Sequence, residues 1–195
     1  MIEIDDFPPS SAQVRMIDMG AVQESVGGTM TRIERPGNRF EVELEFPIGR
    51  GSDVRVLIAR LTRAKNEGLR VEFPLQGVSQ GNPGTPVVDG TDSSGRTLKL
   101  RGLTVGYQAK EGYWLSLVNS TGTRYLHQVS ALATADGTGK ATLTVEPPLR
   151  VFPGDGWTVL LGKPEVEGLV TSVVEWGLSP GQLTGGLGVT LREAA

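Results

Sequence analysis

The sequence contains no cysteine and a single histidine. Disulfides, thiolate metal sites and cysteine nucleophiles are thereby excluded, and a metal site would rest on oxygen ligands around at most one imidazole. Positive charge is not in excess either. Against 22 acidic residues stand 19 basic ones, and a pI near 5.3 offers no basic field to a phosphate backbone, so specific nucleic-acid binding is not expected. Long apolar runs are missing as well; the longest fall far short of the roughly 20 residues that cross a bilayer, and no membrane association is expected. The opening Met1-Ile2-Glu3-Ile4-Asp5-Asp6 is acidic, with no basic stretch leading into an apolar core. It therefore reads as the start of a chain without a secretory signal, in a reducing compartment.

What the chain does have is punctuation. Its 27 glycines and 12 prolines make about a fifth of the residues and are spread along the length, as many short strands joined by turns require. At 195 residues there is room for one large β domain or two small ones.

Phe7-Pro8-Pro9 fixes an extended lead-in. Gln13 to Met19 alternates loosely, Gly27-Gly28 marks a turn, and Thr29 to Arg35 reads as a further strand. Arg35-Pro36-Gly37-Asn38 has the chemistry of a turn joining that strand to the next, since proline presets φ and glycine accepts a positive one. The next strand, Arg39 to Pro47, places Phe40, Val42, Leu44 and Phe46 on one face and Glu41, Glu43 and Glu45 on the other. Ser52-Asp53 can cap a helix whose apolar positions Val54, Leu57, Ile58, Leu61 and Ala64 recur at three and four. The spacing predicts a helix over 52–67 ending at Gly68, with Arg55, Arg60, Arg63, Lys65 and Glu67 on its polar side. Gly68 to Leu75 returns as a strand.

Residues 77–96 change composition to Gly-Asn-Pro-Gly-Thr-Pro and Asp-Gly-Thr-Asp-Ser-Ser-Gly, which predicts a linker or long loop. A second module spans 97–162, with strands at 97–103, 113–118, 124–133, 140–146 and 157–161 and a hairpin turn at Asp136-Gly137-Thr138-Gly139. Five short strands fit a small barrel of the oligosaccharide/oligonucleotide-binding type, and a partial sandwich fits almost as well. After Lys163-Pro164, the strands around Val166, Leu169, Val170, Val173 and Val174 and over Leu187–Leu191 hold too little apolar surface to fold alone. They are expected to rejoin the first sheet. Residues 1–76 and 163–195 then form one β-sandwich-like domain, and the fold class is mostly β with one α-helix and an inserted small barrel.

His127 would have to serve any Ser-His-Asp triad, with Ser116, Ser120 or Ser130 as nucleophile and Asp136 as orienting acid. No Gly-x-Ser-x-Gly elbow positions such a serine, so a structural histidine on a strand is the plainer reading. Asp89, Asp92 and Ser94 depart from the calcium-loop spacing. Glu165, Glu167 and Glu175 are carboxylates of the kind glycoside hydrolysis uses, but nothing in their spacing pairs them. Trp114, Trp157 and Trp176 suit a sugar platform or, more commonly, cores and subunit interfaces. Lys99, Arg101, Lys110 and Arg124 are too few and scattered for a nucleic-acid groove. Gly185-Gly186-Leu187-Gly188 lacks the strand–turn–helix setting of a phosphate cradle. Asn119-Ser120-Thr121 meets the glycosylation sequon but is given no role. No catalytic, cofactor or metal residue is assigned, and a non-enzymatic protein is expected.

Two segments resemble the distal tail proteins of siphophages, and in the same order. One is Arg32-Ile33-Glu34-Arg35-Pro36-Gly37-Asn38-Arg39-Phe40-Glu41-Val42 ending in Phe46-Pro47. The other is Tyr125-Leu126-His127-Gln128-Val129, through Asp136-Gly137-Thr138-Gly139-Lys140-Ala141-Thr142-Leu143, to Pro147-Pro148-Leu149-Arg150. The resemblance implies a ring-forming β domain with a helix and an inserted barrel. It further implies a homohexamer stacked on the tail tube protein, passing its channel to the hub and baseplate proteins of the tail tip, with the tape-measure protein as a further candidate neighbour. Such a protein is assembled in the bacterial host cytoplasm, resides in the virion and carries no cofactor. The competing readings are a carbohydrate-binding host-attachment module, a tail tube or tail completion protein, and a small glycan hydrolase. In the ring reading, the face of Glu41, Glu43 and Glu45 needs basic residues opposite it, and Arg55, Arg60 and Arg63 of a neighbouring copy are the candidates.

Overall fold

In Arg39–Phe46 the alternation becomes geometry: Phe40, Val42, Leu44 and Phe46 are buried while Glu43 and Glu45 face solvent. The computed structural model describes residues 1–33, 35, 37–47, 52–75, 77–172, 174, 176–179, 182–184 and 187–194. Its strands begin with β1 (Ile2–Ile4), β2 (Ser11–Ile17), β3 (Ala21–Glu24), β4 (Met30–Ile33) and β5 (Arg39–Phe46). The helix α1 (Ser52–Glu67) follows, then β6 (Leu69–Glu72), β7 (Gly84–Val88), β8 (Thr97–Leu103), β9 (Gln108–Ala109) and β10 (Trp114–Val118). The chain continues through β11 (Arg124–Val129), β12 (Ala133–Thr134), β13 (Ala141–Glu146), β14 (Thr158–Leu160) and β15 (Glu165–Val170). It ends with β16 (Gly177–Ser179), β17 (Gln182–Thr184) and β18 (Leu187–Glu193).

Six strands make the main sheet in the order β1-β6-β15-β18-β5-β2, antiparallel except for the β1–β6 pair. The late strands β15 and β18 thus do rejoin the early ones. Their apolar residues Val166, Val170, Leu187, Val189 and Leu191 complete a core with Ile2, Ile4, Leu69, Val71 and the buried face of β5. The helix spans the expected residues and covers part of this face. Val54, Leu57, Leu61 and Ala64 form its buried stripe. Lys65 in the last turn bonds the carbonyls of Val170, Thr171 and Ser172 at 2.9–3.3 Å, fixing the helix end to the sheet. Gly68 ends the helix at φ +80°, where a Cβ would lie 2.6 Å from Met1 Sδ and 2.9 Å from the Gly168 carbonyl oxygen.

Between β6 and β15 the chain makes a closed barrel, β10-β11-β13-β8-β7-β14. All five expected segments supply strands. A sixth, β7, comes from the stretch assigned to the linker: Gly84–Val88 pairs with β8 and touches β14 at Thr158–Val87. Its register shifts between Gly84 and Val87, around Pro86, which has no N–H to give a ladder. That irregularity is why its composition reads as loop. The turn at Asp136 is as expected, its carboxylate accepting from the N–H groups of Thr138 and Lys140 at 2.7 and 3.0 Å.

One expected pairing is corrected. The strand before Pro36 does not pair with β5. The chain reverses at the Gly27–Gly28 turn instead, so β4 pairs with β3, and β5 takes β2 and β18 as neighbours. Pairing with β2 sets Ala12 and Val14 across from Leu44 and Val42 on the buried face, an apolar match that β4, with Met30 and Ile33 on opposite faces, cannot offer. Pro36 itself lies outside the described residues.

The barrel has its own core of Val88, Leu98, Leu100, Leu115, Leu117, Leu143, Val145, Val159 and their neighbours. Two of its residues leave that core for the sheet's: Leu126 is buried there, and Trp114 stacks at 5.1 Å on Phe40 and 4.7 Å on Phe73. Gln80 holds Trp114 in place by accepting from its N–H at 2.6 Å and donating to its carbonyl at 2.8 Å.

Candidate functional site

The residues with chemical potential do not gather. His127 lies on β11 opposite Leu115, so Ser116, one position along β10, points to the other face of the barrel wall. Ser116 is engaged with the backbone of Glu165, and Ser130 donates to the Thr144 carbonyl. The His127 ring is sealed from solvent and its Nδ1 donates to the Pro147 carbonyl at 2.9 Å. Burial, the largest effect, together with the nearby Arg150 cation pushes its pKa down to about 4. The Asp136 carboxylate caps its own turn.

Asp89 pairs with Lys140 at 2.8 Å and Arg101 at 3.3 Å, and Asp92 with Lys99 at 3.4 Å. Among the described residues no three acidic or histidine side chains cluster as metal ligands would. Glu165 and Glu167 are held by Arg124 and Arg70 at 2.8 and 2.7 Å; Glu175 lies outside the described residues. Trp114 and Trp157 are packed into different cores, and Trp176 is partly exposed elsewhere, so no common platform forms. Asn119 caps the β10–β11 turn, its Oδ1 accepting from the Thr121 and Thr123 N–H groups.

The six charged residues read as an interface fall into two groups. Glu41 is buried at 6% exposure because Arg192 and Arg15 of its own chain flank it at 2.7 and 3.0 Å. Arg60 pairs with Asp6 at 3.3 Å and Arg63 with Glu67 at 3.2 Å, while Glu45 accepts from Ser11 Oγ at 2.8 Å. Glu43 and Arg55 are exposed and have no side-chain partner among the described residues. They lie on opposite layers, Glu43 on the bare sheet face and Arg55 on the outer side of the helix.

The seam between barrel and sheet is built on a residue the sequence reading passed over. Glu193, near the end of β18, accepts from the backbone N–H of Phe40 in the sheet and of Leu126 in the barrel at 2.8 and 2.7 Å. It also meets Arg150 at 2.8 Å, and that guanidinium lies over the Tyr125 ring. Burial raises the Glu193 carboxyl above its ordinary pKa, against the opposing pull of Arg150 and the two amides. No local pattern marks this pairing, whose partners are 43 positions apart.

Three surface features lie away from these residues. Strands β3 and β4 stand out as a two-stranded arm, every residue from Val22 to Ile33 exposed, with Val22, Val26, Met30 and Ile33 among them. Its base is tied by Asp18, which accepts from the Gly20 N–H at 2.8 Å and pairs with Arg32 at 2.7 Å; these bonds hold its carboxyl below the usual range. Separately, a recess of about 260 Å³ opens where the edge strand β2 meets the barrel, lined by Ala12, Val14, Phe73, Leu75, Val78 and Trp114 among others. A larger hollow of about 670 Å³ lies along β7 and β14, lined by Asn82, Pro83, Pro86, Val87, Leu160 and Lys163 among others.

No model of a known protein family matches this chain, and a search of curated proteins finds no match.

Proposed function

We propose that this chain is a structural subunit of a long-tailed phage tail tip, of the distal tail protein kind. In this reading it forms a hexameric ring that adapts the tail tube to the hub and baseplate. The observation that carries the reading is the arm. A lone two-stranded hairpin is marginal in water, and this one exposes four large apolar side chains, Val22, Val26, Met30 and Ile33. Such a surface fits assembly rather than solution. The sheet adds to the case: its edge strands β1 and β2 carry unpaired backbone donors and acceptors, which closure into a ring covers. The two segments resembling distal tail proteins fall in β4–β5 and in β11–β13 with the loop that follows, on both sides of the seam.

Reconstitution tests it. The subunit is mixed with tail tube and hub proteins encoded beside it, and complexes are isolated by size. Joint complexes containing both neighbours are expected; binding to neither, with release of sugar from a host glycan, would overturn the reading in favour of a hydrolase.

A further inference from the structure

We infer that the barrel interior holds a binding site for one ordered water molecule, which accepts a hydrogen bond from the Arg150 guanidinium and donates one to His127 Nε2. The inference is independent of the assembly reading. Strand alternation and one loop bring the two groups into the same space. On β11, Tyr125 and His127 stand opposite Leu117 and Leu115 of β10 and point, like them, into the barrel core. Arg150 enters from the loop after β13, its Cζ 5.2 Å from the centre of the Tyr125 ring. Pro147 of that same loop supplies the carbonyl 2.9 Å from His127 Nδ1.

Both groups are sealed and incompletely bonded. His127 is 0% and the Arg150 side chain 6% exposed. Arg150 gives Nη2 to Glu193, while its Nε and Nη1, and His127 Nε2, have no hydrogen-bond partner among the described residues. Buried polar atoms of this kind are the ones that internal water serves, typically with about three hydrogen bonds.

The polarity of the bonds selects the ligand. A carbonyl only accepts, so the imidazole proton is on Nδ1 and Nε2 presents a lone pair. Burial, with a pKa near 4, keeps the ring neutral at pH 7. The guanidinium only donates. A ligand serving both must therefore accept and donate. An anion has no proton for Nε2, and Glu193 already balances the Arg150 charge; a cation is repelled by Arg150. Water meets both demands, and it extends the polar seam of Glu193 and Arg150 to His127.

The test is a crystal structure of the full chain at neutral pH, at a resolution that shows ordered water, beside a second crystal soaked in bromide. One water within hydrogen-bond distance of both His127 Nε2 and an Arg150 nitrogen is expected, with no anomalous signal there after the soak. A bromide peak at that place would make it an anion site and overturn the inference. A direct Arg150 N–H to Nε2 contact, or a dry gap between them, would do the same. Because His127 is the only histidine, its ring signals in nitrogen-15 NMR are unambiguous. They are expected to show the proton on Nδ1; a proton on Nε2 at neutral pH would contradict the polarity on which the site depends.

Discussion

Arg150 and Glu193 meet at 2.8 Å with side chains only 6% and 0% exposed, one from the barrel's exit loop and the other from the sheet's last long strand. Removing either partner leaves the other charge in a dry place. Glu193→Leu also strips two backbone amides of their acceptor, and a loss of about 3–5 kcal/mol is expected from denaturant unfolding. Arg150→Leu is milder at low pH, because the remaining carboxyl, already raised by burial, takes up a proton. A raised carboxyl stabilises below its folded pKa and loses that contribution as pH rises, so the loss relative to the parent at the same pH should be larger at pH 8 than at pH 5. Equal losses at both pH values would contradict the account.

His127 has the opposite sign. Its ordinary value is 6.5 and its folded value about 4, so the unfolded chain takes up a proton first as pH falls. Its contribution is complete above pH 6.5, declines between 6.5 and 4, and levels off below, a loss of roughly 3 kcal/mol at the bottom. His127→Leu should flatten this slope relative to the parent at matched pH, Glu193 being common to both. An unchanged slope in thermal melts across that window would count against it.

Charge reversal at Arg60 and Arg63 separates fold from assembly. Their partners Asp6 and Glu67 are surface groups, and such pairs contribute little, so melting should move by no more than a few degrees. The oligomer is expected to shrink on a sizing column if the helix meets the acidic face of a neighbour. Because Arg55 and Glu43 are the unpaired members, Arg55→Glu should shrink it further. Unchanged elution in both variants would remove the helix from the interface.

Gly68→Ala should cost about 1–2 kcal/mol, since a left-handed residue with Met1 and the Gly168 carbonyl close by cannot take a Cβ without movement. A melt equal to that of the parent would show that the helix end tolerates another cap.

The local grammar was readable, and the pairings across distance were not. Val54, Leu57, Leu61 and Ala64 mark their helix from spacing alone, and Phe40 to Phe46 mark their strand. Gly84–Val88 escaped because Pro86 and its glycine neighbours erase the alternation of a strand that tertiary closure nonetheless uses. Turn chemistry at Pro36–Gly37 is local and points to a β4–β5 pair, while the choice of β2 depends on which neighbour completes a buried face. Alternation groups Glu41 with Glu43 and Glu45 as one acidic face. Alternation assigns it the correct side but cannot foresee that Arg15 and Arg192, from two other strands, would cover it. Glu193 and Arg150 carry no pattern at all, and only the docking of barrel on sheet gives them meaning.

The central claim is that copies of this chain close on one another. Native mass spectrometry of the purified protein, imaged in parallel by negative-stain microscopy, tests it most directly. The account predicts a closed ring with an open centre, of six copies by the family resemblance; a species that stays a single chain at every concentration up to the limit of solubility would contradict it.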